Sequence, residues 1–303
     1  MKVTVTGATG MLGKDLVRAL LARGDSVTVL SRDAGRARSA LGDVRALEWR
    51  DPKGEQPPLE ALQRQDGVIH LLGEPVAQRW SAGAKREIRD SRVLSTRNLV
   101  SALARLEQRP EALISQSATG WYGPRGDERV DESSPAGEDF LAEVVREWEA
   151  EASNAEDLGL RVVLTRTGVV LSESGGALEK MLPFFKLGAG GPVAGGRQYV
   201  AWIHADDVVG ALLFCLDTPS ASGPLNVTAP EPVTNRELSK TLGHVLRRPA
   251  LAPVPALAVR TLYGEMASIV TTGVRAVPRR LGELGYQFSQ PDLEASLRSA
   301  TGR

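Results

Sequence analysis

The chain has 303 residues, 42% of them hydrophobic, enough for one large domain or two closely joined ones with an ordinary core. Its 37 lysines and arginines balance 37 aspartates and glutamates, so no net field draws nucleic acid or an anionic membrane surface. One cysteine, Cys215, excludes a disulfide or a cysteine metal site within a single chain, and the 3 histidines have no metal-ligand spacing.

The first element is the most informative. Val3 and Val5 read as a buried strand, and Leu12, Leu16, Val17, Leu20 and Leu21 fall on one face of a following helix. Between them Gly7, Gly10 and Gly13 stand at Gly-x-x-Gly-x-x-Gly spacing, with Thr9, Met11 and Leu12 in the same turn. Such a strand–turn–helix cradles a dinucleotide: the glycines permit a tight turn, a close phosphate and close helix packing, while free N–H groups at the helix start face the pyrophosphate. An ordinary glycine-rich turn is the competing reading. The next strand, Val27–Leu30, ends in Ser31-Arg32, where NAD-binding chains carry a carboxylate for the ribose hydroxyls. A hydroxyl and a guanidinium there suit a 2′-phosphate, so NADP(H) is the expected cofactor. Asp33 is able to pair with Arg32 or hold ribose itself, which leaves the alternative open.

Further apolar runs at 46–49, 67–72, 112–117 and 162–165 alternate with helical patterns at 84–106 and 140–158, the signature of a parallel sheet. The predicted class is α/β, a Rossmann-like doubly wound parallel sheet with a smaller mixed C-terminal substrate lobe. The sheet domain is expected over residues 1–222, with a lobe-crossing glycine-rich insertion around 171–198. Residues 223–303 read as the smaller lobe, helical and punctuated by prolines at 235–246, 256–266 and 291–299. Cys215, inside an apolar run, reads as a small core residue. In His204-Ala205-Asp206-Asp207, Asp206 is expected to cap a helix rather than do chemistry. Without an apolar leader or a membrane-length segment, the expected location is the cytoplasm.

Several stretches are more specific. They include Leu71-Leu72-Gly73-Glu74-Pro75, Ser117-Ala118-Thr119-Gly120-Trp121-Tyr122-Gly123, the run from Leu182 to Pro192 and the run from Gly195 to His204. In these the chain resembles the extended short-chain dehydrogenase/reductase superfamily, in the epimerase-family branch often labelled nucleoside-diphosphate-sugar epimerase or cell-division inhibitor. The resemblance runs nearly end to end, including about 249–288. It implies that Leu71, Leu72 and Gly73 pass beneath the cofactor's ribose and pyrophosphate, that the helix bearing Glu87 and Arg92 approaches it, and that Val170 lines the nicotinamide side. A solvated helix face and plain core are the respective alternatives.

The resemblance also implies chemistry that this chain does not carry in full. Superfamily enzymes use a Ser or Thr at the fifth-strand end with a Tyr-x-x-x-Lys pair on the next helix, where four-residue spacing lets an ammonium lower the phenol's pKa. Ser117 matches the hydroxyl, but Leu141 and Val145 hold the other two places. Tyr122 is a candidate substitute acid, helped by Ser117 or Glu74, and pocket packing is its alternative role. Lys85 and Arg79 are candidates for binding an anionic substrate, or plain surface residues. The expected function is that of an NADP(H)-binding epimerase-family protein, an oxidoreductase or epimerase with a non-standard site acting on a small polar or nucleotide-linked substrate. The alternative is a non-enzymatic NADP(H) sensor. Expected partners are a small-molecule substrate or none, with no nucleic acid, no membrane and no metal; the oligomeric state is not set by the sequence.

Overall fold

The computed structural model describes residues 1–303. Along the chain run β1 (Lys2–Thr6), α1 (Met11–Ala22), β2 (Ser26–Ser31), α2 (Ala34–Leu41), β3 (Arg45–Glu48), β4 (Gly67–His70), α3 (Ala82–Ala104) and β5 (Ala112–Ala118). There follow β6 (Arg129–Val130), α4 (Phe140–Ser153), β7 (Arg161–Thr167), β8 (Val169–Leu171), α5 (Gly176–Lys186), β9 (Tyr199–Val200), β10 (Trp202–His204), α6 (Ala205–Asp217) and β11 (Gly223–Val227). The last stretch holds β12 (Val233–Thr234), α7 (Asn235–Leu246), α8 (Ala256–Tyr263), α9 (Ala267–Thr271), β13 (Arg275–Ala276), α10 (Arg279–Glu283) and α11 (Leu293–Thr301).

Seven parallel strands form the central sheet in the order β11-β7-β5-β4-β1-β2-β3. Strand order reverses between β1 and β4, and ligands of open α/β sheets bind beyond the carboxyl ends of the strands at such a point. One face is covered by α1 and α6 through Leu16, Val17, Leu20, Val208 and Leu212, and the other by α3 and α4 through Leu99, Leu103 and Ala152. Cys215 lies in the first of these cores, where burial pushes its thiol up to about 12, so it packs as expected and is inert as a nucleophile. No helix is long and apolar enough to cross a membrane.

Three expectations change. The boundary drawn between 222 and 223 falls inside the sheet: Gly223–Val227 is its edge strand, in parallel register with β7. Pro224 opens the stretch read as a proline-punctuated smaller lobe, but an edge strand tolerates a residue without an N–H. Second, α6 is capped by His204, whose ring nitrogen accepts from the Asp206 amide at 3.2 Å, rather than by Asp206. Third, the segment read only as glycine-rich holds the helix α5; Lys180 on it donates to the Ala77 carbonyl, and farther on the backbone at Gly191 lies against Ala252. The C-terminal part is fastened to the sheet domain by buried Asp207, which accepts from the Ser289 and Gln290 amides at 2.7 and 2.9 Å and from the Tyr286 hydroxyl at 3.1 Å.

At the switch point, buried His70 joins two strands and a helix, its ring nitrogens 2.8 Å from the Thr6 hydroxyl and 3.0 Å from that of Thr96. Burial pushes its pKa down to about 3. The unfolded chain takes up this proton below about pH 6.5 and the folded one does not, so the stabilisation is complete above that pH and lost as pH falls toward 3. Denaturant unfolding of wild type and His70→Gln between pH 7 and 4 is expected to differ in slope by about 1.4 kcal/mol per pH unit below pH 6. Parallel pH profiles would show that His70 is not held neutral.

Candidate functional site

Strand register assembles the site. Thr6 pairs with Leu30 on one side and His70 on the other, so Gly7 emerges between Ser31 and Leu71. Gly7 has φ +68° and its α-carbon faces the Leu71 carbonyl so closely that a Cβ would lie 2.7 Å from that oxygen. A Cβ on Gly13 would lie 2.3 Å from the Gly7 carbonyl oxygen, so α1 rests directly on the turn. The Gly10 amide donates back to Gly7 at 3.0 Å, and Gly10 then opens α1 with no side-chain cap and no acidic residue in the first turn. The amides of Met11, Leu12 and Gly13 thus keep the unopposed positive end of a helix dipole. Thr9 and Gly10 are exposed at the rim.

Beyond β2, Ser31 accepts from the Asp33 amide at 3.3 Å and Arg32 is exposed. The Asp33 carboxylate is engaged as the cap of α2, accepting from the Arg36 amide at 2.8 Å, so it is directed at the helix and not at Arg32. Arg92 reaches the Leu71–Gly73 backbone: a Cβ on Gly73 would touch its guanidinium at 2.9 Å, and it donates to the Glu74 and Ile88 carbonyls at 2.9 and 3.0 Å. Burial pushes its pKa down to about 10. Glu87, on the same helix, points elsewhere, taking both oxygens to Lys53 at 2.8 and 2.7 Å. Val170 is half-buried on β8, and the following loop brings Gly175 against the Met11 side chain, so this strand also borders the glycine turn. The fit to a dinucleotide is thus carried by two glycines, Gly7 and Gly13, that admit no side chain, an uncapped helix start and a guanidinium left free at the second strand.

The end of β5 is built differently from the expectation. Ser117 is 1% exposed and donates to Glu149, whose carboxylate takes both guanidinium arms of buried Arg166 at 2.8 Å. Tyr122 is fully buried, donates to Asn226 Oδ1 at 2.7 Å and accepts from Arg166 at 3.2 Å. Burial is the main reason its phenol is pushed up to about 12. Both hydroxyls are therefore committed inside the protein, and the expectation that they reach a substrate is corrected by that enclosure. Leu141 and Val145 do face the turn after β5, with a Cβ on Gly120 falling 3.5 and 3.8 Å from them, so the face that would carry a phenol and an ammonium presents hydrocarbon. Lys85 pairs with Glu265 and lies 5.1 Å over the Phe140 ring, and Arg79 borders Gly264, so both sit at the junction with the C-terminal part.

Sequence reasoning missed Glu149, Arg166 and Asn226 as one network. A charged residue in the apolar strand 161–167 was the available signal. No group of three metal-ligating side chains comes together.

The sequence pattern of the NAD dependent epimerase/dehydratase family matches residues 3–228, and that of a domain of unknown function, DUF1731, matches residues 254–300. The chain is 40% identical to the epimerase family protein SDR39U1 homolog, chloroplastic, of Arabidopsis thaliana, over 99% of its own length and 86% of that protein's. It is 35% identical to the epimerase family protein YfhF of Bacillus subtilis, over 98% and 97% of the two chains. Among solved structures, human epimerase family protein SDR39U1 with NADPH is 34% identical and superposes with a TM-score of 0.89, covering 100% of both chains. A register-built dinucleotide turn, a free guanidinium after β2 and this end-to-end match agree: the chain belongs to the NAD dependent epimerase/dehydratase family, with the atypical extended short-chain dehydrogenase/reductase fold.

Proposed function

We propose that this chain binds NADP(H) across the carboxyl ends of β1, β2 and β4 and is an oxidoreductase or epimerase for a small polar or nucleotide-linked substrate. The observation that carries the reading is Arg32, exposed beside a glycine turn whose amides are free, with the neighbouring carboxylate Asp33 turned to α2. In this reading Gly7, Thr9, Gly10, Met11, Leu12 and Gly13 hold the pyrophosphate, and Ser31 and Arg32 take the 2′-phosphate. Leu71, Leu72 and Gly73 support the ribose side, Arg92 lies against Gly73 and donates to the Glu74 carbonyl beside it, and Val170 borders the nicotinamide side, while Glu87 on the approaching helix stays with Lys53. The NADPH of the human relative supports the same assignment. Hydride donation or acceptance is the chemistry such a cofactor supplies when bound.

Proton transfer is assigned to no tyrosine. The hydrocarbon of Leu141 and Val145 borders the place where it would occur, so a substrate whose reduction needs little side-chain acid is the expected kind. A second reading, an NADP(H) sensor without turnover, is favoured by the same closed network, because a site that binds the cofactor and moves no proton changes conformation by mass action alone. NADPH consumption with a panel of aldehydes and nucleotide sugars separates the two. We retain the cytoplasm as the proposed compartment.

Calorimetry with both reduced cofactors tests the binding claim. Wild type is expected to prefer NADPH to NADH by at least about tenfold, and Arg32→Ala to weaken NADPH by about 10- to 100-fold while leaving NADH unchanged, the loss of a charge-assisted contact of about 1.5–3 kcal/mol. Equal wild-type affinities would remove the role of Arg32. An ultraviolet phenol titration of wild type against Tyr122→Phe tests the second claim: the difference should show one phenol silent until near pH 12. Its raised pKa contributes stability that is complete below pH 10 and lost as pH rises through 12. A phenol poised for acid–base work would instead ionise near pH 7.

A further inference from the structure

Buried and half-buried guanidinium groups in this protein are otherwise consistently occupied. Arg161 donates to the Cys215, Leu216 and Ala221 carbonyls, Arg166 to Glu149 and Tyr122, and Arg280 to the Pro224 carbonyl at 2.8 Å. Arg275 differs. Its Nε is buried without a hydrogen-bond partner, its terminal nitrogens bond to nothing in the chain, and its guanidinium lies 4.9 Å over the ring of Tyr199. An ordinary surface arginine keeps Nε in water, and a structural one spends its donors on carbonyls or carboxylates. A cation that is partly desolvated and also unpaired is costly unless something outside the chain completes it.

Its position points to the substrate side of the proposed site. Strand β13 pairs with β6 so that Ala276 packs with Tyr122, Val130 and Ala201, and Trp121 and Val274 join that cluster. The Ala201 carbonyl accepts from Val169 just past the end of β7, and the chain preceding it is Tyr199–Val200. Gly273 is pressed against the Tyr199 backbone, where a Cβ would lie 2.1 Å from its carbonyl oxygen, so Arg275 and Tyr199 are held as a rigid pair. Arg275 thus adjoins Ala276, whose cluster lies beyond the carboxyl ends of β5 and β7 and includes the Trp121 ring on which Arg166 is stacked at 3.9 Å.

We infer that Arg275 is the substrate-holding cation of this site, taking an oxyanion group, carboxylate or phosphate, of a small substrate whose body lies along the Tyr199 side. The inference rests on the reading above that NADP(H) and a small polar substrate bind at the carboxyl ends of the sheet. A guanidinium with its fork of donors free matches two oxygens of either group, and Tyr199 beneath it fixes the plane of the fork. The charge belongs to the C-terminal part of the chain, so binding of the anion would draw that part and the sheet domain onto one ligand.

The test uses the full chain saturated with NADPH, its saturation measured first. Benzoate and phenyl phosphate are titrated as the two oxyanion sources and benzamide as the uncharged isostere, followed by the Arg275 Nε–H resonance. One of the two anions is expected to bind at least about tenfold more tightly than benzamide and to shift that resonance, and the one that does so names the source. Arg275→Gln should lose at least about tenfold of that anion affinity with NADPH affinity and thermal unfolding unchanged, and Arg275→Lys should recover part of it. If neither anion outbinds benzamide, or Arg275→Gln binds as wild type does, the inference is wrong. If NADPH itself fails to saturate, the cofactor reading fails separately, and the same titrations on the cofactor-free chain still decide the role of Arg275.

Discussion

Three pieces of main chain meet at the turn after β1 with no room for a side chain, and the rest of the site follows from that contact. The Gly7 carbonyl lies under Gly13 of α1, and the Leu71 carbonyl lies against Gly7. Because α1 rests on the turn itself, its unspent amides open at the sheet's switch point and not above it. Because β4 passes equally close, the Leu71–Gly73 backbone becomes the floor of the same recess. Any side chain at Gly7 or Gly13 forces helix and strand apart and removes both features together.

The carboxyl ends of β5 and β7 are governed by a buried charge pair. Glu149 and Arg166 are both almost wholly enclosed, and removing one member of such a pair typically costs about 3–5 kcal/mol because the other is stranded. Here the pair is satisfied on every side, by Ser117, by Tyr122 and through Tyr122 by Asn226. Asn226 in turn donates to the Val277 carbonyl, and its amide donates to Glu132, which also accepts from the Arg280 amide. The network therefore runs from the sheet into the C-terminal part, and the Ser117 and Tyr122 hydroxyls are used to join the two.

Much of this was legible in the sequence, for reasons that differ by residue. The glycine spacing, the β-branched strand before it and the helical face after it all act locally, so the Gly7–Gly13 turn and the Ser31-Arg32 strand end followed from a few neighbouring residues. The absence of a phenol and a lysine at positions 141 and 145 was equally plain. Tyr122 was misjudged because its partners, Asn226 and Arg166, lie 104 and 44 residues away, and nothing in a Gly-Trp-Tyr-Gly turn says which way the ring faces. Strand β11 was hidden by Pro224, an exception that only its edge position permits. Arg275 left no signal at all, since its meaning depends on donors that find no partner, which a sequence does not display.

Backbone amide resonances of the full chain, followed as NADPH is added, test the central claim most directly. The account predicts the largest shifts at Met11, Leu12 and Gly13 and at Ser31 and Arg32, saturating together with the binding isotherm. Saturable binding that leaves those amides unmoved while others respond would contradict it.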